Sequence, residues 1–168
     1  MKIGFNMLLW TTNLVEDEFH LLEKIKNVGY DGVEIPIFGG EEKVEHFQNI
    51  GKALKDNGLE CTSVTVIPDE SRSPISDESN VRANALEYLK WSMDCSHALG
   101  SEVLAGPYHQ PLGVFSGEPP TQKEKDNAAR VHQDAADYAS NINLQLSIEP
   151  LNRFECYFLN IAEDASDY

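Results

Sequence analysis

The sequence predicts an α/β fold, and within that class part of a (β/α)8 barrel with about five parallel strands and four to five helices. Three observations carry this expectation. Short apolar runs alternate with longer stretches of helical periodicity, the pattern of a parallel sheet covered by helices. The glycine fingerprints of nucleotide-binding open sheets are missing: no G-x-G-x-x-G follows the first apolar run, and no G-x-x-x-x-G-K-[ST] occurs anywhere. Each strand-like run ends at or near a polar residue (Asn6, Glu34, His109 just beyond the fourth, Glu149), and polar groups converging at strand C-termini are what a barrel site requires.

The elements follow in order. Ile3 to Met7 is a short apolar start. From Val15 to Val28, Phe19, Leu22, Ile25 and Val28 recur at helical spacing, and Gly29 stops the helix. Gly32 to Ile37 is the second strand-like run. Glu42 to Asp56 is helical again, with Val44, Phe47, Ile50 and Leu54 aligned, and Asn57-Gly58 closes it. Cys61 to Ile67 is rich in β-branched residues and reads as a strand. A third helix runs from about Val81 to Leu99, before Gly100 and the run Glu102 to Gly106. Thr121-Gln-Lys-Glu124 is a capping box opening a fourth helix, with Ala128, Val131, Ala135 and Tyr138 on one face. Leu144 to Ile148 is the fifth strand, and Ala162 to Tyr168 begins a fifth helix. Crossovers between parallel strands are right-handed, so successive strands should be neighbours.

A whole barrel needs eight such units and about 250 residues. Residues 1–168 are therefore expected to be the N-terminal portion of a single barrel domain, with the later units beyond Tyr168. Such an arc has two open edges and one uncovered face, and by itself it should either be poorly stable or associate, for example as a homo-oligomer. Two long loops, Pro68 to Ser79 and the Pro- and Gly-rich stretch Gly106 to Pro120, lie on the side where strands end, where binding function collects.

With 41% apolar residues the chain can bury a core. Its formal charge of −15 repels phosphate backbones, and no basic cluster offsets it, so a nucleic-acid partner is not expected. No run of 18 apolar residues occurs, and no membrane association is expected. Cys61, Cys95 and Cys156 are odd in number and widely spaced, which reads as reduced thiols in a cytoplasmic protein.

The segment Leu146-Ser-Ile-Glu149-Pro-Leu-Asn152-Arg153-Phe-Glu155 concentrates the chemistry. Glu149 is a carboxylate at the end of a buried strand, suited to a hard metal ion or to general-base work beside one. The competing reading is an ion pair with Arg153 or a lysine. Glu155 could reach back to accept a substrate hydroxyl, and Arg153 could orient either carboxylate through a bidentate contact, unless the two are a plain exposed loop pair. His109 could donate a hydrogen bond to a sugar oxygen or bind metal, or remain a loop residue. Glu34 is either a substrate-binding acid or a paired acid near the barrel mouth. Trp10 could lie on the apolar face of a sugar ring or pack in the core. His20, His46, His97 and His132 fall in helices and read as helix-side residues. Neither H-E-x-x-H nor G-x-S-x-G occurs.

Ile148-Glu149-Pro-Leu-Asn152-Arg153-Phe154-Glu155 resembles the E-x-x-N-R-F-E motif of the ketose 3-epimerases, the D-tagatose and D-psicose 3-epimerase group of the xylose-isomerase-like TIM-barrel superfamily. Tyr30-Asp31-Gly32-Val33-Glu34 is similar to that superfamily's second-strand segment. The resemblance implies a metal-dependent sugar isomerase or epimerase that moves a proton beside a carbonyl through an enediolate. Glu149 would be both metal ligand and catalytic residue, and Glu155 would contact substrate hydroxyls. The metal would be Mn²⁺, Co²⁺ or Mg²⁺, and the partner a small-molecule sugar. The remaining Asp, His and Glu ligands of that family lie on later strands, so the chain alone is expected to be inactive. The loop Gly106 to Phe115 differs from those enzymes and leaves the sugar open. Two alternatives stand beside this one: an endonuclease IV-like repair enzyme of the same superfamily, and a non-catalytic half-barrel that assembles with a partner.

Overall fold

The computed structural model describes residues 1–168 as five parallel strands in one sheet, in the order β1-β2-β3-β4-β5. The strands are β1 (Gly4–Asn6), β2 (Gly32–Pro36), β3 (Glu60–Val64), β4 (Val103–Gly106) and β5 (Gln145–Ile148). Between and after them lie α1 (His20–Val28), α2 (Val44–Asp56), α3 (Ser79–Leu99), α4 (Gln122–Asn141) and α5 (Ala162–Asp167). Sequential neighbours and uniformly parallel pairing are the expected outcome of right-handed crossovers.

Helices cover one face of the sheet. Phe5, Val33, Ile35 and Cys61 point to that face and join Leu22, Ile25, Phe47, Ile50 and Leu54 from α1 and α2 in one cluster. Leu104, Leu146 and Ile148 do the same against Leu89 and Met93 of α3 and Val131, Ala135 and Ala139 of α4. Each fully buried Leu, Ile or Phe contributes roughly 1.5–3 kcal/mol. Because side chains alternate along a strand, this dry face commits Asn6, Glu34, Thr62, Gln145 and Ser147 to the opposite, concave face.

Several boundaries differ from expectation for identifiable reasons. α1 begins at His20, because Glu16–Glu18 forms a 3-10 turn in which the Glu18 carboxylate accepts from the Val15 amide at 3.2 Å. Val28 is 71% exposed, since it is the last residue of α1 and Gly29 turns the chain away with φ 109°. β3 ends at Val64: beyond it, the Thr65 hydroxyl turns into the helix layer and donates to the Ile37 carbonyl at 2.8 Å. The capping box of α4 forms as its sequence demands, with the Glu124 amide donating to Thr121 Oγ1 at 3.2 Å and the Thr121 amide to Glu124 Oε2 at 2.6 Å.

Gly106 ends β4 with φ 133°, and a Cβ there would stand 2.0 Å from the Thr65 carbonyl oxygen. Only glycine permits both that conformation and that approach. Gly106→Ala is expected to cost more than about 3 kcal/mol by urea denaturation, from backbone strain and backbone displacement together, against about 1 kcal/mol for loss of the Thr121 cap in Thr121→Ala. Equal small effects from the two substitutions would contradict the packing described for the β4 end.

Candidate active site at the strand C-termini

The concave face carries a polar wall built by register. Asn6, Glu34 and Thr62 are lateral partners on β1, β2 and β3. Asn6 Oδ1 accepts from the Leu8 amide at 2.8 Å, which orients its amide so that Nδ2 donates to Glu34 Oε2 at 2.7 Å. Thr62 Oγ1 donates to Glu34 Oε1 at 3.4 Å. Glu34 is half-buried, and the chain's ion pairs, Lys2–Glu60, Lys90–Glu87 and Lys123–Asp77, lie elsewhere. Its carboxylate is therefore held by two neutral donors and has lone pairs left for others. An open groove of about 310 Å³ runs from the strand starts at Lys2, Asp31 and Glu60 up to Asn6, Glu34 and Thr62, and neither Glu149 nor Glu155 lines it.

Glu149 continues the concave row of Gln145 and Ser147 one step past β5, and its amide donates to the Gly106 carbonyl at 2.9 Å. Barrel strands are staggered, so residues at different register on distant strands meet across the interior. Partial burial pushes the Glu149 carboxyl above the usual carboxylate range, and the negative charges of Glu34 and then Glu155 push it in the same direction. Three glutamates thus act on one space, with no cation among their ion-pair partners.

Glu155 is positioned by the turn after Pro150. Its amide donates to the Asn152 carbonyl at 3.0 Å, the Asn152 side-chain amide donates to its carboxylate, and its carbonyl accepts from the Gly113 amide at 2.8 Å. Arg153 does not orient the glutamates: it is exposed, forms no ion pair, and lies 5.3 Å from the ring centre of the exposed Phe154. Trp10 is half-exposed. Its ring packs 4.4 Å from that of Phe5, a residue of the helix-side face, with the Lys24 ammonium 5.9 Å from its centre.

His109 is the largest departure from expectation. It is 0% exposed, stacked on Phe158 at 5.9 Å and 29°, and neither ring nitrogen has a hydrogen-bond partner. Fully enclosed, it presents no surface to the concave face. Burial, then the neighbouring His132, lower its pKa to about 4, while the Glu149 backbone carbonyl favours a ring proton without reaching hydrogen-bond geometry. His132 is likewise buried rather than helix-side: it bonds the Tyr168 hydroxyl at 2.8 Å and the Tyr108 carbonyl at 3.3 Å, and burial lowers its pKa to about 4.

Sequence reasoning missed Gln110. Its side chain is fully buried and fully used: Oε1 accepts from the amides of Tyr157 and Phe158 at 3.0 and 2.8 Å, and Nε2 donates to the carbonyls of Pro111 and Val114 at 3.0 and 2.9 Å. It stitches the loop after β4 to the loop after β5. The only sequence signal was its place between prolines in a long loop at the strand ends.

With respect to metal, the carboxylate oxygens of Glu149, Glu34 and Glu155 suit a hard divalent ion, which would relieve their mutual repulsion. No three His, Cys, Asp or Glu side chains gather within ligating reach of one point, so these residues fit part of a coordination shell and not a whole one. No helix is long and apolar enough to cross a membrane.

Residues 22–168 match the family described as the xylose isomerase-like TIM barrel. The chain belongs to that family. It is 28% identical over 160 residues to a protein named "Probable ketose 3-epimerase" in Synechocystis sp., covering 95% of this chain and 55% of that one. It is 27% identical to the D-psicose 3-epimerase of Agrobacterium fabrum, covering 98% of this chain and 57% of that one. The solved structure of an L-ribulose 3-epimerase superposes with a TM-score of 0.88 at 23% identity, over 99% of this chain and 56% of that one, which establishes a shared fold. The chain spans a little over half the length of these relatives, and its five strands form a partial barrel.

The two buried histidines set a pH dependence. Their folded pKa of about 4 lies below the ordinary 6.5, so below pH 6.5 the unfolded chain binds protons that the folded chain refuses. Their contribution is fully present above pH 6.5 and is lost as pH falls toward 4, by about 1.4 kcal/mol per pH unit for each histidine. Urea denaturation at pH 7 and pH 5 should show this loss, and His132→Gln should flatten it. A wild-type stability unchanged between those pH values would contradict the burial described.

Proposed function

We propose that this chain carries the working carboxylates of a metal-dependent sugar epimerase or isomerase, with Glu149 as the residue that takes and holds the proton beside the sugar carbonyl. The observation that carries the reading is the raised carboxyl of Glu149 at the end of β5, on the same face as Glu34 and acted on by Glu34 and Glu155. A carboxylate displaced upward from its usual range is a better base near neutral pH. Glu155, fixed by Asn152 and Gly113, accepts hydrogen bonds from substrate hydroxyls. Family membership and the names of the ketose 3-epimerase relatives support the same class of reaction and a ketose as the substrate.

Glu149 would supply one oxygen to a divalent ion of the Mn²⁺, Co²⁺ or Mg²⁺ kind, with the rest of its shell coming from water, substrate oxygens or further protein groups. When bound, such an ion supplies Lewis-acid polarisation of the sugar carbonyl. The acidic surface disfavours a nucleic-acid substrate and so the repair-enzyme alternative. A second reading, assembly with a partner chain, draws on the two open sheet edges at β1 and β5.

The test follows hydrogen exchange at C3 of ketohexoses in D₂O with Mn²⁺, using the protein of natural length. Deuterium should enter at C3, and Glu149→Gln should slow it by about a thousandfold or more with fold and melting temperature kept. A Glu149→Gln variant with undiminished exchange would sink the assignment.

A further inference from the structure

The stretch after β5 closes on itself. The Leu151 amide donates to the Leu159 carbonyl at 3.0 Å. The Asn160 side-chain amide donates to the carbonyls of Leu151 and Cys156 at 2.8 and 3.0 Å. Within that stretch the Glu155 and Cys156 amides both donate to the Asn152 carbonyl, at 3.0 and 3.2 Å. Residues 151–160 therefore form a self-bonded loop whose ends meet, and Glu155 rides on it as part of one body.

Such a body needs directional contacts to fix it to the rest of the molecule. Phe158 and Leu159 pack with Ile75 and Ala128, but apolar contact is non-directional. The loop after β4 supplies direction. Gln110 Oε1 accepts from the Tyr157 and Phe158 amides at 3.0 and 2.8 Å, and the Gly113 amide donates to the Glu155 carbonyl at 2.8 Å. Gln110 supports the Gly113 contact as well: its Nε2 donates to the Pro111 and Val114 carbonyls at 3.0 and 2.9 Å, which curls residues 110–114 around the side chain. The Tyr157 hydroxyl adds a bond to Glu124 Oε1 at 2.6 Å, at the tip of a long side chain. Gln110 is 0% exposed, and replacing it by an apolar residue would orphan two amides and two carbonyls at once.

We propose that Gln110 is a positioning residue for Glu155: its side-chain amide docks the closed loop 151–160 onto the loop after β4 and so sets where the Glu155 carboxylate stands. Fully buried, it acts only through that loop. The inference rests on the reading of Glu155 as a contact for substrate hydroxyls. Docking is read by hydrogen exchange and substrate contact by kinetics, so the two fail separately.

The experiment uses the protein of natural length with Mn²⁺ and a ketohexose. Gln110→Met keeps the length of the side chain and removes its polar groups. By hydrogen-exchange mass spectrometry it should speed exchange of the Glu155–Phe158 amides by about tenfold or more, leaving β2 unchanged. It should raise KM by about tenfold with kcat within about threefold, since the proton is moved by Glu149 and only a hydroxyl contact is displaced. Gln110→Glu keeps an oxygen for the Tyr157 and Phe158 amides and should recover most of both losses. The double variant with Glu155→Gln should have a KM no higher than Glu155→Gln alone, because Gln110 works through that one carboxylate. Unchanged exchange in Gln110→Met, additive KM increases, or equal behaviour of the Met and Glu variants would each overturn the proposal. If Glu155→Gln leaves KM unchanged, the reading of Glu155 fails, and the exchange data alone decide the docking. Should Gln110→Met fail to fold, the wild type decides: fast exchange of the Tyr157 and Phe158 amides overturns the proposal, and slow exchange supports it.

Discussion

Helices α1 to α4 cover only one face of this sheet, and keeping that face dry is the constraint on which everything else depends. Val33, Ile35, Leu104 and Ile148 must point at the helices, and strand alternation then sends Glu34, Ser147 and Glu149 to the other side. A slip of one residue in β2 would bury Glu34 among Phe47 and Ile50 and put Val33 in the bowl. The energetic penalty of that exchange, a desolvated carboxylate against lost apolar burial, is what holds the polar wall in place.

The polar wall creates a second constraint of its own. Asn6 and Thr62 grip Glu34 with neutral donors, which fix its position without cancelling its charge. That uncancelled charge acts on Glu149 across the bowl, and Glu155 adds to it from the following turn. The same arrangement that makes Glu149 basic makes the space attractive to a divalent ion or to sugar hydroxyls. Behind the wall, Gln110 joins the two long loops, so Glu155 and His109 hang from one rigid stitch rather than from mobile chain.

Strand order, helix count and the placement of Glu149 just past a strand end were legible because they follow from periodicity, which a sequence displays directly, whereas Glu34, expected at a strand end, lies in the middle of β2 because pairing with β3 continues through Pro36. The capping box of Thr121 and Glu124 was legible for the same reason: four adjacent residues contain the whole interaction. What was not legible depends on groups far apart in the chain. His109 and His132 looked like loop and helix-surface residues, and only the convergence of Tyr108, Phe158 and Tyr168 buries them. Gln110 finds its partners 47 and 48 residues away. Arg153 looked like a partner of the glutamates beside it in sequence, yet it is exposed and forms no ion pair, while Trp10 packs on Phe5. Short-range pattern therefore locates the strand ends, and long-range packing decides which side chains there face the bowl.

The central claim is that Glu149 and Glu34 share one space on the concave face. The most direct measurement is the titration of the Glu149 carboxyl by ¹³C NMR in the chelator-treated protein, with and without Glu34→Gln. The account requires Glu149 to titrate above an ordinary glutamate and to move back toward it when Glu34 loses its charge. An ordinary Glu149 titration that ignores Glu34→Gln would mean that the two carboxylates do not face one another, and the site described here would not exist.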